Sequence, residues 1–462
     1  MRKTDKNNNS DVIVQPSNLS DSEVIISGYK HASNLIIVAT ILLPKVTFVL
    51  ENIPDVLDTK LLIEILINLE AEVAFIDGYI KINTVNLINK RIDVELTKQV
   101  HGTLYLLPAL LCRFGQVELG RCGGCSIGEA DFYGNFRPVS HIIEVLQNFG
   151  ARFEFKGEYI SGFLEKLTVP SIVDIQDYSD DPDELVGQYV SGATKTAILM
   201  AISIADKELS IKNPYIKADV RELLNFLSSA GVEIHQTKSC LRIKNSYQTQ
   251  EIFYTLMSDI NEIFTYITLA VFNHVNLKLT NITVEQARQA FIQEEKILKN
   301  MGINLDWNIN SVSISKVSSL NSFDIDIGQA EKHTVYADHQ PFFALLLTMG
   351  KKPSKITDRV WKKRFQYVPE LQKLGYQMQE MDGGILNIIP GKKPHNEPVE
   401  FLYGHDVRAT ALMLIVALNQ KFKVRVTGIE HLCRGYVDYI GKLKSIGANI
   451  ESVVEEREVV LS

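Results

Sequence analysis

The sequence predicts an α/β protein built from repeated helix–strand units in two domains, on three observations. One pattern recurs six times, starting at Leu61, His141, Val220, Glu294, Val368 and Tyr439: an amphipathic helix, a cap, then an alternating strand. The cap is Gly150, Gly231, Gly302, Gly375 and Gly447, with Glu70 in the first copy, and glycine there suits the left-handed turn that ends a helix. Between copies lie a further helix and strand: Leu35–Leu43 with Val46–Glu51, Ala193–Ala205 with Glu208–Lys212, and Ala409–Leu418 with Lys423–Gly428. Helices alternating with strands argue α/β rather than all-α.

Each element has its own signal. Val-Glu-Ile-His after Gly231 and Asn-Ile-Glu-Ser after Gly447 alternate with the period of a half-buried strand. Leu104 to Phe114 reads as a buried helix, and Ile142 to Phe149 has helical spacing. The copies lie roughly 70–80 residues apart, longer than the ~20–50-residue period of a solenoid. They divide into two groups of three, with a junction near Thr255 to Asp259. Tyr178 to Val186 is an acidic loop and Gly391 to Pro398 a Pro- and Lys-bearing one.

A chain of 462 residues is too long for one core. A net charge of -7 excludes a broad nucleic-acid footprint, so any anionic ligand must be held by local Lys and Arg. Five cysteines in this length argue against a disulfide framework and for a reducing, cytoplasmic setting. The longest apolar runs fall far short of the ~18 residues of a membrane span. The first twenty residues are polar, without the apolar stretch of a signal peptide, and read as a frayed tail.

The stretch richest in chemistry is Leu119 to Pro138, LGRCGGCSIGEADFYGNFRP. Cys125 follows Gly123-Gly124 and precedes a polar loop closed by Arg137-Pro138. A thiol on a glycine-hinged loop can meet solvent and ligand, and Arg137 can hold an anion beside it; the alternative is a buried cysteine of no special role. Cys122 and Cys125 form Cys-x-x-Cys, but no second pair at metal spacing accompanies them.

Gly-Gly-Cys-Ser-Ile-Gly at Gly123 to Gly128, set among six such units, resembles the enolpyruvyl transferases, and within them the UDP-N-acetylglucosamine branch. Further matching blocks are ISGYKHAS at Ile26, LLPALLCRFGQVEL at Leu106, YVSGATKTA at Tyr189, YADHQPF at Tyr336, RFQYVPELQKLG at Arg364, HDVRATALMLIVA at His405 and RGYVDYIGKLKSIGANIE at Arg434. The resemblance covers nearly everything after Ser22. It implies a two-domain fold with three units per domain around buried helices and the site in the cleft. It also implies residues 1–29 as a tail and strand of the second domain, 30–258 as the first domain with the thiol loop, and 259–462 as the second.

The implied reaction moves the enolpyruvyl group of phosphoenolpyruvate onto a sugar hydroxyl and releases phosphate, by addition and elimination through a tetrahedral ketal, with no cofactor and no metal. Such chemistry needs cations for phosphate and carboxylate, an acid for the methylene carbon, and a base for the hydroxyl. The resemblance gives the catalytic roles to Cys125 (proton donor, and target of the epoxide fosfomycin), Asp338 (base) and Lys30 (phosphate contact). It gives substrate binding to His31, His101, Arg137, Pro138, Val139, Ser191, Gly192, Val360 and Arg408, with Arg137 and Arg408 on phosphoenolpyruvate. Asp259 and Glu262 match acids at the domain crossover, and Arg364 reads as structural.

Four departures bear on the acceptor. His31 stands where the family has Asn, His101 where it has Arg, and Ser140 where it has the Asp that reads uracil; EADFYGNF lengthens the thiol loop. Ser191-Gly192 follows Val190 in Val-Ser-Gly order, where the family has Ser-Val-Gly. The expected acceptor is UDP-N-acetylglucosamine, for peptidoglycan precursors. One alternative is the ribose hydroxyl of UMP, as in nikkomycin- and polyoxin-type antibiotic synthesis, and another is a non-catalytic nucleotide-binding paralogue. The expected partners are phosphoenolpyruvate and a uridine nucleotide or nucleotide sugar, with no nucleic acid and no membrane.

Overall fold

The computed structural model describes residues 11–453 except 77, 125–126, 128–137, 205–206, 248–249, 329–334 and 393–397. Residues 1–10, Cys125, Arg137 and, apart from Ile127, the extended loop between them therefore lie outside the described residues. Of the twenty residues expected to fray, Val12–Val14 instead form a strand, held by pairing on both edges.

Six sheets form among the described residues, each holding the strand or hairpin of one sequence copy. The copies begin as the helices Leu57–Asn68, Ser140–Asn148, Ala218–Ser229, Val284–Met301, Val368–Lys373 and Tyr439–Ser445. All five cap glycines are left-handed, with φ from 86° at Gly375 to 99° at Gly447, and Glu70 takes the same turn at φ 67° without being glycine. A side chain there is strained, so the first copy keeps the geometry that the others reach freely.

Strand pairing ties distant parts of the chain together. Val12–Val14 lies between Val424–Thr427 and Ile450–Ser452, antiparallel to both. Ser22–Ile25 runs parallel to Leu277–Thr280. Gln250–Thr255 returns to lie parallel to Val46–Glu51.

Two groups of helices fill the interior. Lys30–Thr40, Leu106–Phe114 and Val190–Ser203 pack together, as do Ile260–Phe272, Gln340–Leu347 and Val407–Leu418. Nearly every residue of these six helices is buried, which explains why their sequences are apolar on all sides rather than striped. Hydroxyls survive inside by bonding back one turn: Thr194 Oγ1 donates to the carbonyl of Val190 and Thr196 Oγ1 to that of Gly192, each at 2.9 Å.

Four helix boundaries differ from the sequence expectation at the end that matters. The helix expected from Leu35 starts at Lys30, and that expected from Ala193 starts at Val190. The one expected from Leu104 is a 3-10 turn, His101–Tyr105, leading into Leu106–Phe114. The one expected from Ala409 starts at Val407 and so includes Arg408. In the first two, the missed first turn carries Lys30, His31, Ser191 and Gly192, polar or small residues that break the apolar run because they face a cleft.

Candidate active site

Helix starts converge on one cleft. Lys30–Thr40, Val190–Ser203, Ala218–Ser229, Ile260–Phe272 and Val407–Leu418 each bring a residue at or just before the first turn to its wall: Lys30, Ser191, Lys217, Asn261 and Arg408. The cleft encloses about 1510 Å³, part of it open to solvent. Helix N-termini present free N–H groups and the positive end of the helix dipole, so the wall favours anions before any side chain is counted.

Two carboxylates close these helix starts. Asp406 accepts from the backbone N–H of Arg408 at 2.7 Å and of Ala409 at 2.9 Å. Asp259 accepts from Asn261 and Glu262 with one oxygen and, with the other, from Lys30 N–H at 3.2 Å. One side chain thus caps two helices whose sequences lie 229 residues apart. Glu262 accepts from Ser27 N–H at 2.8 Å and pairs with Lys442 at 2.6 Å. Both crossover acids are thereby engaged in holding the fold.

Asp338 sits at the centre of the first charged cluster. Its Oδ1 accepts from Arg364 Nη1 at 2.7 Å. Its Oδ2 meets Arg408 Nε at 3.3 Å and Nη2 at 3.1 Å, His31 Nε2 at 3.3 Å and Asn261 Nδ2 at 3.4 Å. Burial works against its charge, but Arg408, Arg364 and His31 outweigh it and hold the carboxyl well below the usual carboxylate range. His31 shifts downward, chiefly by burial and despite Asp338, so it is neutral at pH 7 and donates through Nε2 to Asp338. Arg364 also reaches Asp406 through Nε at 3.1 Å. The side chain expected to be structural is therefore a wall of the cleft, 5% exposed.

The second cluster is Lys30, Asp58 and Arg434. Lys30 Nζ lies 3.1 Å from Asp58 Oδ2, and Arg434 Nε 3.3 Å from Oδ1. A third is Lys195, Asp219 and Lys217: Lys195 Nζ is 2.5 Å from Asp219 Oδ2, and Lys217 Nζ 4.0 Å from the same oxygen.

A family model supplies the deciding comparison: that of EPSP synthase (3-phosphoshikimate 1-carboxyvinyltransferase) matches residues 14–443. The chain belongs to this family. Relatives of this carboxyvinyl transferase include the UDP-N-acetylglucosamine 1-carboxyvinyltransferase of Thermotoga petrophila, 27% identical over 446 residues, 96% of this chain and 99% of the relative. The protein of the same name from Chlorobium phaeovibrioides is 28% identical over 442 residues, 95% and 97% of the two chains. The crystal structure of the enolpyruvyl transferase NikO from Streptomyces tendae superposes with a TM-score of 0.86 at 26% identity, covering 96% of this chain and 98% of that one. An EPSP synthase from Acinetobacter baumannii, 14% identical, shares the fold with a TM-score of 0.70 and covers 96% and 100% of the two chains.

Of the residues singled out in the sequence, Lys30, His31, His101, Pro138, Ser191, Gly192, Asp338, Val360 and Arg408 line the transferase's cleft. Ile127, from the thiol motif, lines it too. Val139 does not: it is 3% exposed and packs into the core beneath the helix Ser140–Asn148. Gly192 has a packing reason, since a Cβ there would come within 1.9 Å of His141 Nε2. Cys122, the neighbour in Cys-x-x-Cys, is pushed up to about 12 by burial and is no thiolate at neutral pH. The sequence reasoning missed Asp58, Lys195, Lys217, Asn261, Asp406 and Arg434 as cleft residues. Lys195, Asp406 and Arg434 lay inside matched blocks and were the ones it could have found.

Proposed function

We propose that the chain transfers the enolpyruvyl group of phosphoenolpyruvate to a hydroxyl of UDP-N-acetylglucosamine, releasing phosphate by addition and elimination. The observation that carries this reading is Asp338 held between Arg364 and Arg408 in a cleft that also contains the Lys30–Asp58–Arg434 cluster.

A carboxylate held so far below its ordinary range is a poor base. The same arginines are the planar forks that a substrate carboxylate or phosphate would engage bidentately. As phosphoenolpyruvate draws Arg408 and Arg364 onto itself, Asp338 loses the charges that acidify it and gains basicity when the acceptor hydroxyl arrives. Substrate binding thus switches the base on. Lys30 and Arg434 are assigned to the departing phosphate, and Arg137 and Arg408 to phosphoenolpyruvate. Cys125 delivers the proton to the methylene carbon, and the ketal collapses by loss of phosphate and of one methyl proton, which returns to the Cys125 thiolate as the double bond re-forms. His31, bonded to Asp338, orients the acceptor hydroxyl beside the base. Pro138, Val139, Ser191, Gly192 and Val360 are assigned to the acceptor, Val139 through its backbone.

Residues 30–258 and 259–462 are assigned to two lobes, with 1–29 joining the second. The pairings of Val12–Val14 and Ser22–Ile25 with strands beyond residue 276, and of Gln250–Thr255 with Val46–Glu51, support these boundaries. Both substrates are soluble metabolites, so we infer a cytoplasmic enzyme. Among the described residues no helix is long and apolar enough to cross a membrane.

A second reading, UMP as acceptor through its ribose hydroxyl, is favoured by the histidines at 31 and 101 on the cleft wall, since a smaller acceptor needs fewer fixed cations. The deciding experiment offers UDP-N-acetylglucosamine and UMP separately with phosphoenolpyruvate and measures phosphate release. Release with the nucleotide sugar supports the first reading, and release with UMP alone supports the second. No release from folded protein that binds a uridine nucleotide points to a non-catalytic paralogue. In the active protein, fosfomycin should alkylate Cys125 and stop turnover.

A further inference from the structure

We propose that Lys195, Lys217 and the hydroxyl of Ser191 form a site for a phosphate group of the acceptor, distinct from the cations assigned to phosphoenolpyruvate. The proposal rests on the acceptor being a nucleotide, and names the part of it that this wall recognises.

The charges of the three clusters are unequal. Arg364 and Arg408 are matched one for one by Asp338 and Asp406. Lys30 and Arg434 share Asp58, both within 3.3 Å of it, whereas Lys195 and Lys217 share the single carboxylate of Asp219 unevenly. Lys195 takes the close contact and lies beside the ring of Tyr105, 5.6 Å from its centre. Lys217 is left with the long one, at 4.0 Å, although only 27% of its side chain is exposed. Burial, with the repulsion of Lys195, pushes the Lys217 ammonium below its usual range, and Asp219 only partly offsets this. A surplus cation withdrawn from water without a matched partner is unfavourable, and a bound anion would relieve it.

Ser191 supplies the independent observation. It lies four residues before Lys195, so the two share one face of the helix Val190–Ser203, and both line the cleft. Its Oγ is buried and has no hydrogen-bond partner among the described residues. An unused hydroxyl at the start of a fourteen-residue helix, one turn from one lysine and across the cleft wall from another, suits a tetrahedral anion. Lysines supply freely rotating donors rather than the arginine fork that fits a planar carboxylate, so a phosphoryl group is the better match.

The test is calorimetric titration of the full-length protein, without phosphoenolpyruvate, by uridine, UMP and UDP-N-acetylglucosamine. Wild type is expected to bind at least one phosphorylated ligand about tenfold or more tighter than uridine. Lys217→Gln should remove most of that difference and leave uridine binding within twofold. Ser191→Ala, which disturbs no ion pair, should reproduce part of the loss. Equal affinity of wild type for uridine and its phosphates, full retention of the preference in Lys217→Gln, or equal weakening of uridine would each overturn the proposal. Binding needs no turnover, so the two readings fail separately: loss of the preference in a protein that releases no phosphate sinks only the catalytic reading. Normal turnover with the preference intact in Lys217→Gln sinks only this one.

Discussion

The two walls of the cleft hold charge in opposite ways. Around Asp338 every cation is an arginine and every arginine already has a carboxylate, so the wall is electrically closed until a substrate competes for it. Around Asp219 the cations are lysines and one carboxylate serves two, so the wall carries a standing surplus. The closed wall suits a step in which partners are exchanged, because the group set free is the one that does chemistry. The open wall suits binding that only positions.

Asp338→Asn gives the sharpest test of that contrast. The amide cannot take the hydroxyl proton, and kcat for phosphate release should fall by about 10²–10⁴. Phosphoenolpyruvate affinity, by titration of the same variant, should hold or improve, since the arginines lose their internal competitor. Weaker affinity would break the exchange model. Arg408→Lys keeps the charge and loses the fork, and kcat/KM for phosphoenolpyruvate should drop by about ten- to a hundredfold. An unchanged value would mean Arg408 serves the fold alone.

His31→Asn should shift KM for the acceptor by about tenfold, the worth of one hydrogen bond to a charged group, and leave KM for phosphoenolpyruvate within twofold. A larger effect on phosphoenolpyruvate would move His31 to the other substrate. The smallest effect concerns stability. Burial raises Asp358 to about 6, although it accepts from the N–H groups of Val360 and Trp361 at 2.9 and 2.8 Å. With its folded pKa above the unfolded one, stability tied to its proton is present below about pH 4 and is lost as pH rises to about 6. Asp358→Asn keeps the acceptor and removes the charge, so it should stabilise by about 1–3 kcal/mol at pH 8 and by nothing measurable at pH 4, in denaturant unfolding at the two pH values.

The contrast also marks what could be read from the chain. The repeats were legible because each cap is a backbone event confined to a few residues, and Gly150 to Gly447 announce it without tertiary help. Lys30, Asp338 and Arg408 were found through motifs. Lys195, although inside a matched block, and Lys217 were not, because nothing local marks either as a cleft residue until folding sets both against Asp219. Arg364 was read as structural for the same reason: its block advertised a helix, whereas its role comes from Asp338 and Asp406, 26 and 42 residues away. Val139 shows the reverse: it is adjacent in sequence to a cleft residue, but its side chain is buried in the core, which leaves only its backbone for the role proposed.

Asp259 has a mechanical consequence. Because one of its oxygens holds the start of Ile260–Phe272 and the other the start of Lys30–Thr40, those two helices are pinned at a single point at the base of the crevice. Movement of one helix start relative to the other is therefore restrained at that pin. Lys30 is held at both ends, by Asp259 at its backbone N–H and by Asp58 at its ammonium, so it meets an incoming molecule from a fixed address.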